Sequence, residues 1–425
     1  MTRKIFLCLF LFLLAAGCRG DSPGPIPVAE KGVLDLRNWD FDSTSTISLN
    51  GEWLFFKDRF ILPGLVSDPA DRKNAYPANV PGSWKEYEIN GRQVPGMGYA
   101  SYGLTILHDH DGMNASFLIR EVSSACRLFV GGQLVYSSGN PSRDPDDTVP
   151  AFLPGTVNFV LKGHRTDIVL HVANYHNKDA GLTKEIRFGR TETVLRTASR
   201  KQAVSLFLIG SLLTMGLYHL SLVMLRGQYE SPLYLGIFCC IIAFRSVLIN
   251  DRFIMLLWPE LSWEWLVKME YMTFYLSVPV FAYYIYSLFQ EAFSKKVMLA
   301  SSGFFLVSAA TVLIFPVRIF WYTLLPYQVF TVLLSGYVGY ILIGAIQKNQ
   351  AGSWVLAVGF AVLFLTTLAD ILGSHHFNQW NFIVQAGVFI FMFTQAYLLS
   401  LKFSITLKDV EMKKEEVEQI NEAFR

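Results

Sequence analysis

The feature that most constrains this chain is where its charge is missing. Of Lys+Arg 36 and Asp+Glu 34, only eight basic and seven acidic residues fall in residues 203–401. A soluble domain carries about 25 % charged residues. One half is therefore composed like a soluble protein and the other like a membrane protein. That excludes a single globular domain, a disordered chain and a collagen-like one. The net charge of +2 gives no support for nucleic acid as a partner, which needs a basic face against phosphate.

Apolar runs long enough to cross ~30 Å of hydrocarbon predict seven spans: Ala203–Leu225, Ser231–Ile249, Tyr271–Phe289, Val297–Val317, Ile319–Ile346, Ala351–Leu372 and Trp380–Leu401. The boundary around Arg318 is the least marked, and the fifth run is interrupted by Pro326. With the N-terminal half exported, the inner connectors and tail hold nine Lys/Arg against three outside (Arg252, Lys268 and Arg318). That agrees with the positive-inside rule and sets the C-terminus in the cytoplasm of a multi-pass inner-membrane protein. Arg190, Arg196, Arg200 and Lys201 run against the rule, but long translocated domains are largely exempt. Ionisable groups within spans cost free energy unless paired or hydrated. Arg245 in the second span and Asp370 in the sixth are the clearest, with Glu270 opening the third and His219 in the first. Arg245 and Asp370 fall toward the outer ends of their spans, where they can either pair or snorkel to the interface.

Met1-Thr2-Arg3-Lys4, the apolar run Ile5–Leu14 and Ala15-Ala16-Gly17-Cys18 have the three parts of an export signal. Residues 1–18 are expected to be that signal, and Cys18 is a lipidation candidate. The alternative is ordinary cleavage nearby with Cys18 incidental. Cys126 is the lone cysteine of the exported region, which excludes a disulfide framework there.

Residues 21–200 follow, beginning with a Pro/Gly-rich tether. Short runs such as Val33–Leu36, Ile47–Phe56, Tyr102–Leu107, Arg127–Tyr136 and Ile168–Val172 alternate with Asn90-Gly91, Gly131-Gly132 and Lys162-Gly163 turns. This pattern predicts an all-β sandwich, a jelly roll. Aromatics that would stack on sugar rings are Trp84, Tyr87, Tyr99, Tyr102 and Tyr175, with Asn174, His176 and Asp179 as polar partners. Of these, Trp84, Tyr99, Asn174, His176 and Asp179 are the candidate ligand contacts; the competing reading puts the aromatics in the core. No Cys/His spacing suits a metal, and adjacent His375-His376 lack a third ligand. No P-loop, HExxH or GxSxG is present, so no cofactor and no catalytic residue are expected in the chain.

Residues 402–425 contain no Gly or Pro, and Phe403, Leu407, Val410, Lys414, Val417, Asn421 and Phe424 step by four and three. This is a heptad seam, expected to pair two copies as a parallel homodimer. The order of parts, with Leu49-Asn50-Gly51-Glu52-Trp53, Tyr99–Leu107, Leu128–Tyr136 with Gly139, Val172–His176 with Gly181, and Phe188-Gly189, resembles the bacterial seven-transmembrane receptors with diverse intracellular signalling modules. Gly131 departs from the Asn that relatives often carry. The resemblance implies a galactose-binding-like jelly-roll sensor for a carbohydrate or other small molecule. Seven helices and a cytoplasmic nucleotide cyclase, diguanylate cyclase or kinase effector would follow. The chain ends at Glu422-Ala423-Phe424-Arg425, which looks like a lead-in to such an effector, expected to lie beyond Arg425 or in a separate partner. The competing function is a transporter or channel with an exported carbohydrate-binding domain. Against it stand few mid-membrane charges and no inverted repeat.

Overall fold

A computed structural model describes residues 26–423 apart from 42–45, 65, 67, 69–71, 227–229, 250, 351 and 374–382. Residues 1–18, read as an export signal ending in Cys18, the His375-His376 pair and most side chains of 402–425 lie outside the described residues.

The N-terminal half is two packed β-sheets. Thirteen strands are described: β1 Val33–Asp35, β2 Ile47–Ser48, β3 Gly51–Lys57, β4 Tyr76–Val80, β5 Glu88–Ile89, β6 Arg92–Gln93, β7 Gly98–Leu107, β8 Asn114–Ile119, β9 Ala125–Val130, β10 Gln133–Ser138, β11 Gly155–Val160, β12 Arg165–Asn174 and β13 Arg187–Arg190. The larger sheet runs β10-β9-β12-β7-β3-β4 with β1 parallel to β7, and the smaller runs β11-β8-β13-β2. The central β7 and β12 pair antiparallel from Leu107↔Arg165 to Gly98↔Asn174. Trp53, Phe55, Trp84, Tyr102, Phe117 and Phe188 fill the space between the sheets. Strict alternation is lost on β3 and β12 because a second cluster, Leu54, Phe56, Ile61, Val66 and Val169, covers the outer face of the larger sheet. Trp53 and Tyr102 are thus core residues, and the Trp53 indole donates to the Leu49 carbonyl at 2.9 Å. Cys126 is a buried free thiol. Gly181 has φ +99°, and a Cβ there would come within 2.3 Å of the Tyr102 hydroxyl, so only glycine fits.

β13 passes directly into helix α1, Thr191–Arg226, with no linker between them. The first ten residues of α1 fall inside the range read from sequence as exported domain, so the boundary moves back to 190/191. Charged residues hid this extension. The Glu192–Arg196 pair at 2.6 Å sits one turn apart on its exposed face. Ser116 of β8 donates to the Thr191 hydroxyl at 2.8 Å, tying the start of the helix to the smaller sheet.

Beyond α1 the described residues form α2 Glu230–Leu248, α3 Trp263–Leu288, α4 Lys295–Ile314, α5 Leu324–Gln347, α6 Ser353–Gly373 and α7 Ile383–Ala423. Five helices are long and apolar enough to cross a membrane: Thr191–Leu225, Glu230–Leu248, Lys295–Ile314, Val317–Gln347 and Ser353–Leu372. α3 misses that standard because its charge-free stretch, Tyr271–Leu288, holds five tyrosines and Pro279, and the apolar part of α7, Ile383–Leu398, is shorter. Pro279 lies inside α3 and deprives the Tyr275 carbonyl of its usual amide donor, four residues on. The Tyr327 hydroxyl of α5 donates to that carbonyl at 2.5 Å instead. This is how a proline is tolerated where water cannot reach. α7 runs without a break from Ile383 to Ala423, 41 residues in all, or about 60 Å at 1.5 Å per residue.

Candidate functional site

Asn174 ends β12 and is fully buried. Its side-chain amide donates to the carbonyls of Gly96 at 3.0 Å and Asn177 at 2.8 Å, and its Oδ1 accepts from the Asn177 amide at 3.0 Å. Asn177 in turn donates to the Ser123 hydroxyl at 3.1 Å. Trp84 is buried against Phe55, its indole donating to the Pro95 carbonyl at 2.9 Å. Both residues are framework, which corrects their assignment as ligand contacts. Each satisfies buried backbone groups that would otherwise cost free energy. Tyr99 is half-buried beside Phe60, with ring centroids 5.0 Å apart.

The loop that Asn174 braces points toward the helices. His176 packs edge-on against Trp263 at the start of α3, and Phe152 packs against the same indole, with centroids 6.2 and 5.7 Å away. Burial, with Arg318 nearby, holds the His176 imidazole below its ordinary pKa. The ammonium groups of Lys85 and Lys178 lie 5.4 and 5.3 Å from the ring centre of Trp321, in the turn before α5. Asp179 is exposed. The 174–179 segment is therefore a docking surface between sandwich and bundle.

Arg252, in the connector between α2 and α3, is the joint of this interface. It is buried, with a backbone φ of +48° that side-chain-bearing residues rarely adopt. Its guanidinium donates to the Glu270 carboxylate of α3 and to the Leu248 carbonyl of α2 at 3.2 Å. It also reaches the Glu121 carboxylate of the sandwich at 3.7 Å and covers the Phe152 ring at 4.5 Å. Beside it, Asp251 accepts from Ser205 of α1 at 2.8 Å. From sequence Arg252 is only an outer-loop charge. Nothing local marks it, because Glu121 lies 131 positions away.

Below this joint, α2, α3, α5, α6 and α7 enclose a cavity of about 370 Å³ lined by Arg245, Glu270 and Asp370 together with Gln328, Thr331 and Gln385. All three charged residues singled out within the spans thus meet in one place. Arg245 donates to the Glu270 main-chain carbonyl at 2.5 Å and lies 5.5 Å from the centre of the Phe274 ring. Glu270 is shared: its carboxylate serves Arg252 and its carbonyl serves Arg245. Among the described residues, no cluster of three or more His, Cys, Asp or Glu is placed to hold a metal.

Residues 201–402 match the family model described as 7TM diverse intracellular signalling. No curated protein matches the chain. Solved structures similar to it include a GH2 beta-galacturonidase from Eisenbergiella tayi bound to glycerol, 15 % identical over 36 % of this chain and 26 % of that one, TM-score 0.25. A glycosyl hydrolase family 2 member from Bacteroides cellulosilyticus is 14 % identical over 34 % and 20 %, TM-score 0.27. A beta-glucuronidase from Ruminococcus gnavus is 13 % identical over 34 % and 27 %, TM-score 0.24. The chain spans about a quarter of the length of these structures.

Proposed function

The helical half of this chain belongs to the 7TM diverse intracellular signalling family, and from that premise we propose how this membrane sensory receptor passes a signal inward. The β-sandwich is the extracytoplasmic sensor for a small molecule, a carbohydrate among the candidates. Seven spans, α1 to α7, cross the inner membrane with the C-terminus in the cytoplasm, α3 and α7 included although they are less apolar than the other five. The continuous α7 carries helix movement to the stalk of a parallel dimer and so to a cytoplasmic effector.

The observation that supports this reading is the Arg252 joint. One buried guanidinium bonds at once to the sandwich, through Glu121, and to two bundle helices, through Leu248 and Glu270. A ligand that shifts the sandwich even slightly changes the partners of that charge, and a change of partners is what two-state signalling requires.

The test uses the full chain in lipid nanodiscs with native cysteines removed and a single cysteine at position 410 or 417. E121Q cuts the sandwich out of the joint while leaving both helix contacts. The expected result is a change of about twofold in stalk crosslinking relative to the parent chain, the equilibrium shift that about 0.5 kcal/mol produces. Identical crosslinking in the two chains refutes the coupling.

A further inference from the structure

A second cavity lies at the opposite end of the bundle. It holds about 210 Å³ and is lined by His219 of α1, Ser231 and Leu235 of α2, Tyr284 of α3, Ser353 of α6 and Gln395 of α7, among others. His219 is only 3 % exposed, and neither of its ring nitrogens has a hydrogen-bond partner. A neutral imidazole carries one donor and one acceptor, and leaving both unmade in a dry interior is costly. The neighbouring polar groups are differently placed: the Tyr284 hydroxyl already donates to the Gln395 carbonyl oxygen at 2.6 Å. Among the described lining residues, His219 is the one whose buried ring nitrogens are both without a partner.

We propose that this cavity binds an uncharged, ring-sized amphiphile bearing one hydroxyl or N–H group, a simple phenol or indole in chemical class, with His219 as its hydrogen-bond partner. Three observations select that class. No charged side chain is among the described lining residues, so an ionic ligand would enter without a counter-charge. The walls include Leu235, Leu288, Phe289, Leu356 and Leu398, which suit a flat hydrocarbon body. An engineered apolar cavity of ~150 Å³ accepts benzene, so a cavity of about 210 Å³ suits a molecule of roughly eight or nine heavy atoms. Gln395 and Leu398 belong to the stretch of α7 that leads into the stalk. An occupant would press on the helix that leaves the bundle, giving the bundle a ligand input separate from the sandwich.

The probe is indole, applied to the full chain in nanodiscs with ¹⁵N-labelled histidine. H219F identifies the His219 ring signals. Indole should shift those signals and no others. Indane, which has the same nine heavy atoms but no N–H, should bind about tenfold more weakly, the loss of one hydrogen bond to an otherwise unpaired buried group. Benzoate should not bind. By equilibrium dialysis, H219F should lose the preference for indole over indane. Ring signals that indole leaves unmoved mean that the cavity holds only water, and overturn the proposal. Equal affinity for indole and indane means a non-specific apolar or lipid site, and also overturns it. The wild-type ligand series decides the matter even if H219F fails to fold. The binding readout involves no effector, so its outcome is independent of the receptor mechanism above.

Discussion

Replacing Arg252 with methionine removes the charge at the joint while keeping much of the side-chain volume. The Arg252 side chain is 7 % exposed, and the two carboxylates it serves are 18 % exposed at Glu270 and 26 % at Glu121. Removing one partner of a buried ion pair costs about 3–5 kcal/mol, because the other charge is left uncompensated. The Glu121 contact is longer and wetter, so it contributes about 0.5 kcal/mol of its own. Partial exposure of Glu270 favours the lower end, about 3 kcal/mol in total for R252M. At ~2 °C per kcal/mol for a large domain, the apparent Tm should fall by about 6 °C. The assay is thermal unfolding of the full chain in nanodiscs at fixed heating rate, since unfolding of such a protein is under kinetic control. R252M/E270L should recover most of the loss, because no buried charge is then unpaired, and E121Q should cost about 1 °C. An R252M Tm within about 1 °C of wild type would refute the reasoning. So would a double variant lowered by the sum of its parts.

Y327F should destabilise by about 1–2 kcal/mol by stranding the Tyr275 carbonyl, and P279A/Y327F should restore stability by returning an amide donor to α3; thermal unfolding of both variants checks this. Burial holds His108, His171 and His176 below the ordinary imidazole value, so the unfolded chain binds more protons than the folded one once the pH drops below ~6.5. Their contribution to stability should be complete above that pH and lost as the pH falls through the lowered folded values. Urea unfolding of the sandwich signal at pH 7.5 and 5 should show the loss, and H108N should reduce it. Val410 and Val417 are 58 % and 56 % exposed in the single chain and seven residues apart. Cysteines at 410 and 417 should crosslink strongly between copies and cysteines at 408 and 415 weakly, whereas a flat profile would exclude a parallel seam.

What was legible in the sequence follows from the range of the interactions involved. The charge deficit between Ala203 and Leu401 marks a helical membrane half, because lipid permits little else. Arg245, Glu270 and Asp370 stand out for the same reason, and they do converge. β4 was not read as a strand because Pro77, Asn79 and Pro81 look like turn residues; it lies at the edge of its sheet, where proline is tolerated. β5 and β6 were read only as their turn, Asn90-Gly91, which takes φ +53° and +73° as a tight hairpin requires. Trp84 was misassigned because an aromatic between turn residues reads alike whether it faces solvent or core. Asn174, His176 and Asp179 were read as polar ligand contacts; in the structure Asn174 braces its loop and His176 packs against Trp263 of the bundle. Glu121 and Arg252 become partners only once the sandwich is docked, and no local pattern encodes that.

The arrangement of these parts also bears on how large a signal the molecule can carry. Shifting a two-state equilibrium from 1:99 to 99:1 takes about 5.5 kcal/mol of differential affinity. The buried Arg252–Glu270 pair, whose disruption costs about 3–5 kcal/mol, is of that order, whereas the Glu121 contact that crosses to the sandwich, at about 0.5 kcal/mol, biases such a switch and does not drive it alone. The joint's position matters as much as its strength. β13 enters α1 without a linker, so any tilt of the smaller sheet is carried into the first helix. Arg252 clamps the other side of the sandwich to α2 and α3, and Ser205 ties α1 to the neighbouring Asp251. Two points of attachment on one rigid sandwich convert a small rotation into opposed movements of helices, which one flexible tether could not do. The positive φ of Arg252 is consistent with a strained hinge residue, since such conformations persist only where surrounding contacts hold them. Releasing Glu121 removes one of those contacts, and the connector can then relax while α2 and α3 remain packed.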